Sequence, residues 1–376
     1  MRGNTKLQNP MFFAANTEER LAKDHPLRAI KRRADEVLKA MSRDFNAAYS
    51  AQGRPSIPPE ALLKALLLEA LYSIPSERRL VDAINWNLLY RWFCDLDPDQ
   101  AMWDATTFTK NRERFERHGL VQKFFDRVVK CALVGEYASN DHFTVDGTLI
   151  QSWASLKSFR PKDEPHDSPP TEGGSNPSVD FCGTKRSNDT HQSNTDPEAR
   201  LAKKSPGVGA ELCHSGHVLM ENRHGLCLDI RVAAADGYAE REMAEKMLRR
   251  VERRHGVKPK TLGADKGFAA GEFLRTLEED FHITPHVPIG SAPAAATGPE
   301  AEARRRMWKR MKTLGYQISQ KLRKKVEQIF GWLKQPGGLR KVRHVGRWKI
   351  QQVAYLWGAA YNLLRLANLE AQKAAA

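Results

Sequence analysis

Long apolar runs are missing from this chain of 376 residues. A membrane-spanning helix needs roughly eighteen or more consecutive apolar residues, and no stretch of the sequence approaches that length. The first twenty residues also lack the basic start, apolar core and small-residue cleavage site of a secretory signal peptide. We therefore expect a cytoplasmic protein without a membrane partner.

Paired cysteine and histidine motifs are missing too. The cysteines are odd in number and contain no Cys-x-x-Cys pair, and the histidines show no His-Glu-x-x-His spacing. These absences argue against a disulfide framework and against a zinc site. A metal ion is therefore expected to be held by carboxylates, which favours magnesium, with manganese as a substitute. The cysteines are Cys94, Cys131, Cys182, Cys213 and Cys227.

Acidic residues are scarce near the end of the chain. Residues 301–376 contain 18 Lys and Arg but only Glu302, Glu327 and Glu370, so this segment carries +15, the formal net charge of the whole chain. A pI near 9.6 with the excess charge in one segment favours a nucleic-acid partner. A basic helix on a membrane surface would need a large aromatic apolar face, which this segment lacks.

Glu327 is the only acidic residue within 304–334, a stretch predicted to form one long amphipathic helix. Its apolar residues recur at the spacing of a helix with one buried face. Arg323, Glu327 and Lys334 share a second stripe beside that face. The glutamate is therefore either a solvated salt-bridge partner, for example of Arg323, or a metal ligand among basic residues that bind phosphate. The buried face consists of Leu322, Val326, Ile329, Phe330 and Leu333.

The first 135 residues predict an all-α domain. Capping residues or prolines stand at the starts of several helical patterns, which cover 26–41, 58–72, 77–86, 105–118 and 120–135. Exposed basic residues on such short helices could form a helix-turn-helix that contacts DNA, and the domain could also dimerise. The alternative is that these residues are only a solvated face. They are Arg78, Arg79, Lys110, Arg112 and Arg114.

The pattern changes to strands at residue 142. An alternating run contains Asp146 followed by Gly147, and a short buried run ends on Asp265, so both aspartates stand where a strand gives way to a turn. A hairpin and a fifth strand are also predicted, with a helix at 239–254 between the hairpin and the Asp265 strand and another at 271–280 after it. The five predicted strands cover 142–153, 212–220, 226–233, 260–264 and 283–289.

An insert interrupts this strand pattern. Residues 158–209 are rich in Pro, Ser, Asn, Asp and Gly and poor in apolar residues, so we predict a flexible loop that cannot offset the entropy of ordering. A last helix is predicted over 349–369. The chain is therefore divided into a helical domain, 1–135, and an α/β domain, 136–376, that carries the insert.

The order of these elements resembles an RNase H-like fold, with a mixed five-stranded sheet and three carboxylates at the ends of elements on one side of it. Here the chain resembles the DDE transposases of bacterial insertion sequences, close to the insertion-sequence-five family. The matching motifs are FTVDGT around Asp146, LGADKGF around Asp265 and RKKVEQIFGWLK around Glu327. Arg323, Glu327 and Lys334 also reproduce the R-x3-E-x6-K signature of that family.

The resemblance implies a DNA transposase. Such an enzyme cleaves phosphodiester bonds at transposon ends and transfers the 3′ hydroxyl into target DNA, using two divalent ions. Asp146, Asp265 and Glu327 would be the catalytic metal ligands, with Mg²⁺ as cofactor and Mn²⁺ as a possible substitute.

The partners that the resemblance implies are the terminal inverted repeats of the element and its target DNA. The protein would bind them as a homodimer or higher oligomer, associated with the nucleoid. Phosphate contacts are expected from five basic residues, because guanidinium and ammonium groups suit phosphate oxygens. These residues are Arg323, Lys334, Arg340, Lys341 and Arg343.

Two departures and two alternatives limit the resemblance. Gln320 stands where related transposases often have a tyrosine, and the 62 residues between Asp265 and Glu327 are too few for the large β-rich insertion of some relatives. A hairpin intermediate that depends on that insertion is therefore not expected. The alternatives are an RNase H-like nuclease that cuts without joining and a domesticated DNA-binding protein without catalysis.

Overall fold

A computed structural model describes residues 17–50, 52, 56–162, 186–205, 207–237, 239–291 and 297–375. Helices come first along the chain, and a mixed β-sheet with further helices follows. All four cysteines in the described part of the chain are free thiols, as predicted. No described helix is both long enough and apolar enough to span a membrane.

The described residues of the N-terminal part form eight helices, and the five that the sequence predicted are confirmed. Local hydrogen bonds explain where two of them begin. The Ser76 hydroxyl caps α5 by accepting a hydrogen bond from the backbone N–H of Arg79 at 3.4 Å. The N-cap of α7 is Ala105, and Asp104 accepts a hydrogen bond from the N–H of Thr106 at 2.8 Å, which forms a turn just before this helix. The helices are α1 Thr17–Arg20, α2 Pro26–Ala40, α3 Ser42–Ala48, α4 Pro59–Leu71, α5 Glu77–Trp86, α6 Leu88–Phe93, α7 Thr106–Arg117 and α8 Leu120–Val134.

Where the structure describes the rest of the chain, it contains nine strands and six helices. The strands are β1 His142–Ser152, β2 Phe159–Pro161, β3 His191–Ser193, β4 Arg200–Ala202, β5 Glu211–Glu221, β6 Leu226–Ala234, β7 Thr261–Gly263, β8 Thr284–His286 and β9 Lys341–Val342. The helices are α9 Ala239–His255, α10 Gly271–Glu279, α11 Pro299–Arg310, α12 Leu314–Arg323, α13 Val326–Lys334 and α14 Arg347–Ala375. Single 3₁₀ turns occupy Leu156–Ser158 and Lys266–Phe268.

Strand β1 is the centre of the sheet. It pairs antiparallel with β5 on one edge and parallel with β7 on the other. Strand β6 lies antiparallel on the far side of β5, and β8 lies parallel beside β7. The short strands β4 and β9 extend the sheet alongside β5 and β1. The five predicted strands and the mixed RNase H-like order are thus confirmed, with two short additions. The turn predicted at Asp146 and Gly147 is wrong, because β1 runs unbroken through both residues, which pair with Val218 and His217 of β5.

The predicted insert, 158–209, contains regular structure. Strand β2 pairs with β3, and β4 pairs with β5. A buried polar network holds the insert to the sheet, because Asp196 accepts hydrogen bonds from the Ser152 hydroxyl at 2.8 Å and from the His214 ring at 2.9 Å. The prediction of a loop without regular structure is therefore wrong for these residues. Residues 163–185 lie outside the described part of the chain.

The prediction of one helix over 304–334 is also wrong, because this stretch forms α11, α12 and α13. The Thr313 hydroxyl accepts a hydrogen bond from the N–H of Tyr316 at 3.3 Å and so starts α12 anew. The second break follows Arg323, where Lys325 donates to the backbone carbonyl of Asn222 at 3.1 Å. Helical periodicity persisted across both breaks and hid them.

Helix α14 covers the free edge of β6. The Asn362 side chain accepts a hydrogen bond from the N–H of Cys227 at 2.9 Å and donates to its carbonyl at 2.7 Å. The Gln351 amide bonds in the same way to the N–H of Val232 and the carbonyl of Ile230. Buried side-chain amides thus replace the neighbouring strand that an edge lacks.

The helical N-terminal part and the sheet share one continuous apolar core, which runs from Leu27 through α8 to Ala367 on α14. Helix α14 contacts α2, α4 and α8 as well as β6. The division near residue 135 separates helices from strands along the sequence, and it remains a prediction about domains.

Candidate active site

Asp146 and Asp265 lie side by side because of strand register. In the parallel pairing of β1 with β7, Thr144 is opposite Gly263. Each aspartate follows two residues later on its own chain, so both point to the same side of the pleated sheet. Neighbouring strands are about 4.8 Å apart, which sets the scale of the separation between the two backbones.

Backbone N–H groups orient both aspartates. Asp146 accepts a hydrogen bond from Gly147 at 2.8 Å, and Asp265 accepts one from Gly267 at 2.8 Å. The Asp265 bond caps the 3₁₀ turn that follows β7. One oxygen of each carboxylate is therefore fixed by the chain next to it.

Glu327 comes from a distant element. It is an exposed residue in the first turn of α13, whose buried residues Val326, Ile329 and Leu333 fix this helix against the core. Helix α13 contacts β1, the strand that carries Asp146. The structure therefore brings all three predicted carboxylates to one region of the sheet.

The electrostatics of Asp146 report this proximity. Burial raises the pKa of Asp146, and the negative charges of Asp265 and Glu327 raise it further. The N–H of Gly147 and the guanidinium of Arg323 act in the opposite direction. The Nη1 atom of Arg323 lies 3.5 Å from Oδ2 of Asp146, so its ion pair within the described residues is with this aspartate and not with Glu327.

The carboxylates are close enough to interact but are not gathered into a finished metal site. Within the described residues, no three His, Cys, Asp or Glu side chains form a group that could hold a metal ion as they stand.

Sequence reasoning missed a fourth carboxylate, Glu240, the second residue of α9. A Cβ atom on Gly147 would lie 3.2 Å from its Oε1, and one on Gly267 would lie 3.1 Å from its Oε2. Burial raises the pKa of Glu240, and the charges of Asp265 and Asp146 raise it further. The available signal was the glycine beside each aspartate, which was interpreted only as a turn residue.

Lys334 lies in a separate cluster of cations. Burial lowers its pKa, and the positive charges of Lys204 and Arg340 lower it further. Repulsion within such a cluster is relieved when an anion binds. Lys204 belongs to the predicted insert and was not selected from the sequence.

Lys341 and Arg343 flank an exposed aromatic ring. The ammonium nitrogen of Lys341 lies 5.2 Å from the centre of the Trp153 ring, and the Arg343 guanidinium lies 5.4 Å from it. Exposed cations interleaved with an aromatic side chain suit contact with nucleic acid. A cavity of about 330 Å³ opens beside this surface, between α4, α7 and α14. The three carboxylates do not line it.

The basic residues predicted for the N-terminal domain divide into two sets. Arg112 pairs with Glu77, and Arg114 packs over the Tyr49 ring with 4.3 Å between guanidinium and ring centre. Both side chains therefore hold the helices together. Arg78, Arg79 and Lys110 are exposed and remain candidates for DNA contact.

Two family models match the chain. The model described as "Transposase domain (DUF772)" matches residues 15–114, and the model described as "Transposase DDE domain" matches residues 192–363. The second match includes Asp265 and Glu327, whereas Asp146 lies between the two matched stretches. Neither a search of curated proteins nor a search of solved structures returned a match.

Proposed function

Because the chain belongs to the DDE transposases of insertion sequences, we propose that it cuts phosphodiester bonds at the ends of its element and joins the freed 3′ hydroxyl to target DNA. The observation that carries the proposal is the parallel register of β1 and β7, since it aligns Asp146 with Asp265. Glu327 approaches from α13 closely enough for its charge to raise the pKa of Asp146.

The donor set fits a hard divalent ion. Asp146, Asp265 and Glu327 offer only carboxylate oxygens, which Mg²⁺ and Mn²⁺ prefer. When bound, two such ions would stabilise the attacking and leaving oxygens of an in-line displacement. The contribution of the chain is to hold three carboxylates from distant parts of the sequence together, with two of them oriented by backbone N–H groups.

Arg323 and Lys334 are the proposed phosphate ligands near the cut. Arg323 is half-buried and lies 3.5 Å from Asp146 at the predicted site, so its guanidinium can exchange this partner for a phosphate, which it binds in bidentate fashion. Lys334 can bind a flanking phosphate together with Lys204 and Arg340, because an anion relieves the repulsion among the three.

The exposed basic surface of Arg340, Lys341 and Arg343 is the proposed main contact with the DNA backbone. The segment 301–376 carries all of the net charge of the chain, which supports this role. The helical domain, 1–135, would add contacts to the terminal inverted repeats or hold two copies together as a homodimer or larger assembly. The motifs favour a position close to the insertion-sequence-five family.

The test uses duplexes that carry the terminal repeats of the element, with Mg²⁺ and a target plasmid. Asp146→Asn, which keeps the side-chain shape and removes the charge, should abolish both cut and joined products while DNA binding persists. The matched control is Asp141→Asn, because Asp141 is exposed near the start of β1 and pairs with Lys260 at 2.9 Å, away from the site.

The outcomes separate the alternatives. Cut strands without joined strands would favour a nuclease of the same fold, and binding without cutting by the unaltered chain would favour a domesticated DNA-binding protein. Equal activity of the two aspartate variants would show that Asp146 is not catalytic.

A further inference from the structure

Glu240 occupies the space between Gly147, which lies within β1, and Gly267, which lies in the turn after β7. Its Oε1 lies 3.2 Å from where a Cβ on Gly147 would be, and its Oε2 lies 3.1 Å from where a Cβ on Gly267 would be. Oδ1 of Asp265 lies at the same 3.1 Å from that second point. The Glu240 carboxylate therefore lies against the backbone at Gly147 and at Gly267, close to both aspartates.

The two glycines make this approach possible. A side chain at either position would force the Glu240 carboxylate to move, because contacts of this length are tighter than nearly all real Cβ contacts. Neither glycine has a positive φ. What both positions require is therefore space for the Glu240 carboxylate and not an unusual backbone conformation. Close approach of another group is a recognised reason for glycine.

Ordinary helix pairing does not account for Glu240. On the same helix, Glu242 pairs with Lys246 at 2.5 Å and Glu245 pairs with Arg249 at 3.6 Å, both at i,i+4 spacing. The residue four positions after Glu240 is Ala244, which is fully buried. Within the described residues no ion pair of Glu240 is recorded, although it is half-buried.

Glu240 is half-buried, which raises its pKa; the charges of Asp265 and Asp146 raise that pKa further, while the charge of Arg241 lowers it. Repulsion among three neighbouring carboxylates is relieved when a cation joins them. The favourable interaction of a Glu with a helix N-terminus is weak, and it does not require Glu240 to lie between β1 and the turn that carries Asp265. We propose that Glu240 is a fourth metal ligand of the site, acting with Asp146 and Asp265. This inference rests on the proposed function.

The test measures Mn²⁺ binding by the full chain without DNA, from the electron paramagnetic resonance signal of the free ion. Glu240→Gln should weaken Mn²⁺ affinity about tenfold or more, the scale seen when groups that support a metal site are removed. Glu242→Gln is the matched control, because it removes an exposed carboxylate from the same helix, and its affinity should stay within twofold of the unaltered chain. Asp146→Asn serves as the reference for the proposed site.

A second measurement guards against a folding defect. Without metal, Glu240→Gln should melt at the same temperature as the unaltered chain or higher, because it removes repulsion from Asp146 and Asp265. If the glutamine variant does not fold, Glu240→Ala is measured in its place.

The results distinguish the two claims. Loss of affinity in Asp146→Asn together with unchanged affinity in Glu240→Gln overturns the fourth ligand and leaves the proposed function standing. Unchanged affinity in both variants overturns the fourth ligand and the proposed metal site together. Weakened binding in both, with Glu242→Gln unaffected, supports the inference.

Discussion

Replacing Arg250 with methionine should strongly destabilise the protein. Arg250 is 3% exposed on α9, and it donates to Asp229 of β6 at 2.8 Å and to Asp126 of α8 at 2.6 Å. Its guanidinium therefore joins the N-terminal helices to the sheet. Methionine keeps much of the volume and removes the charge, so the variant isolates the electrostatic role.

The magnitude follows from what the substitution leaves behind. Asp229 is fully buried and, among the residues that the structure describes, would retain Arg231 at 3.4 Å as its one ion-pair partner. Asp126 would retain Arg254 at 3.0 Å. Removing one member of a buried pair typically costs about 3–5 kcal/mol, because it leaves an uncompensated charge. That is a large fraction of the roughly 5–15 kcal/mol that separates native from unfolded proteins.

The loss should depend on pH in a defined direction. Burial raises the pKa of Asp229 in the folded protein, and Arg250 lowers it. Without Arg250 that pKa rises further above the unfolded value of about 3.9. Asp229 then loses its proton at a lower pH in the unfolded chain than in the native chain. The loss of stability caused by Arg250→Met therefore grows as pH rises above about 4 and shrinks on acidification.

Urea unfolding at pH 5 and pH 8 measures both effects. Arg253→Met is the control, since Arg253 is exposed on the same helix and its loss should change the free energy of unfolding by no more than about 0.5 kcal/mol. Adding Asp229→Asn to Arg250→Met should recover part of the loss by removing the stranded charge. The reasoning is refuted if Arg250→Met matches the control, or if the deficit is larger at pH 5 than at pH 8.

Two further predictions concern the sheet edge and the DNA surface. Asn362→Leu should lower the free energy of unfolding by about 2–6 kcal/mol and speed hydrogen exchange at the Cys227 amide. It leaves one buried N–H and one buried C=O of Cys227 without a hydrogen-bond partner, at a cost of about 1–3 kcal/mol each. Gln372→Leu, at an exposed position on the same helix, should change neither quantity. Replacing Arg340, Lys341 and Arg343 with alanine should weaken binding to all DNA duplexes alike. The slope of log affinity against log salt concentration should become shallower by about 0.9 for each phosphate contact that is lost. An unchanged slope would assign the DNA affinity to the N-terminal domain.

Patterns among residues that are close in sequence predicted the helices and strands well. Contacts between residues that are far apart in sequence explain the errors. The Ser76 cap and the Asp104 turn act within three residues, so the starts of α5 and α7 could be read directly from the sequence. The buried network of Asp196 could not, because its partners Ser152 and His214 are 44 and 18 residues away. Composition made the insert resemble a loop, whereas pairing with β5 gives part of it a strand.

The same distinction applies within the candidate site. Asp146 lies within β1 and Asp265 follows β7, so their positions on parallel neighbours follow once the strands are known. The turn predicted at Asp146 was not needed for this. Glu240 shows no comparable pattern, because only the docking of α9 over β1 and over the turn after β7 brings it there. The glycines that follow the two aspartates were interpreted as turn residues. In the structure, the space that their missing side chains leave contains the Glu240 carboxylate. A turn alone accepts asparagine or aspartate as well as glycine. A glycine close to a predicted site carboxylate is therefore worth testing as a sign that a second acidic side chain must come close to the backbone there.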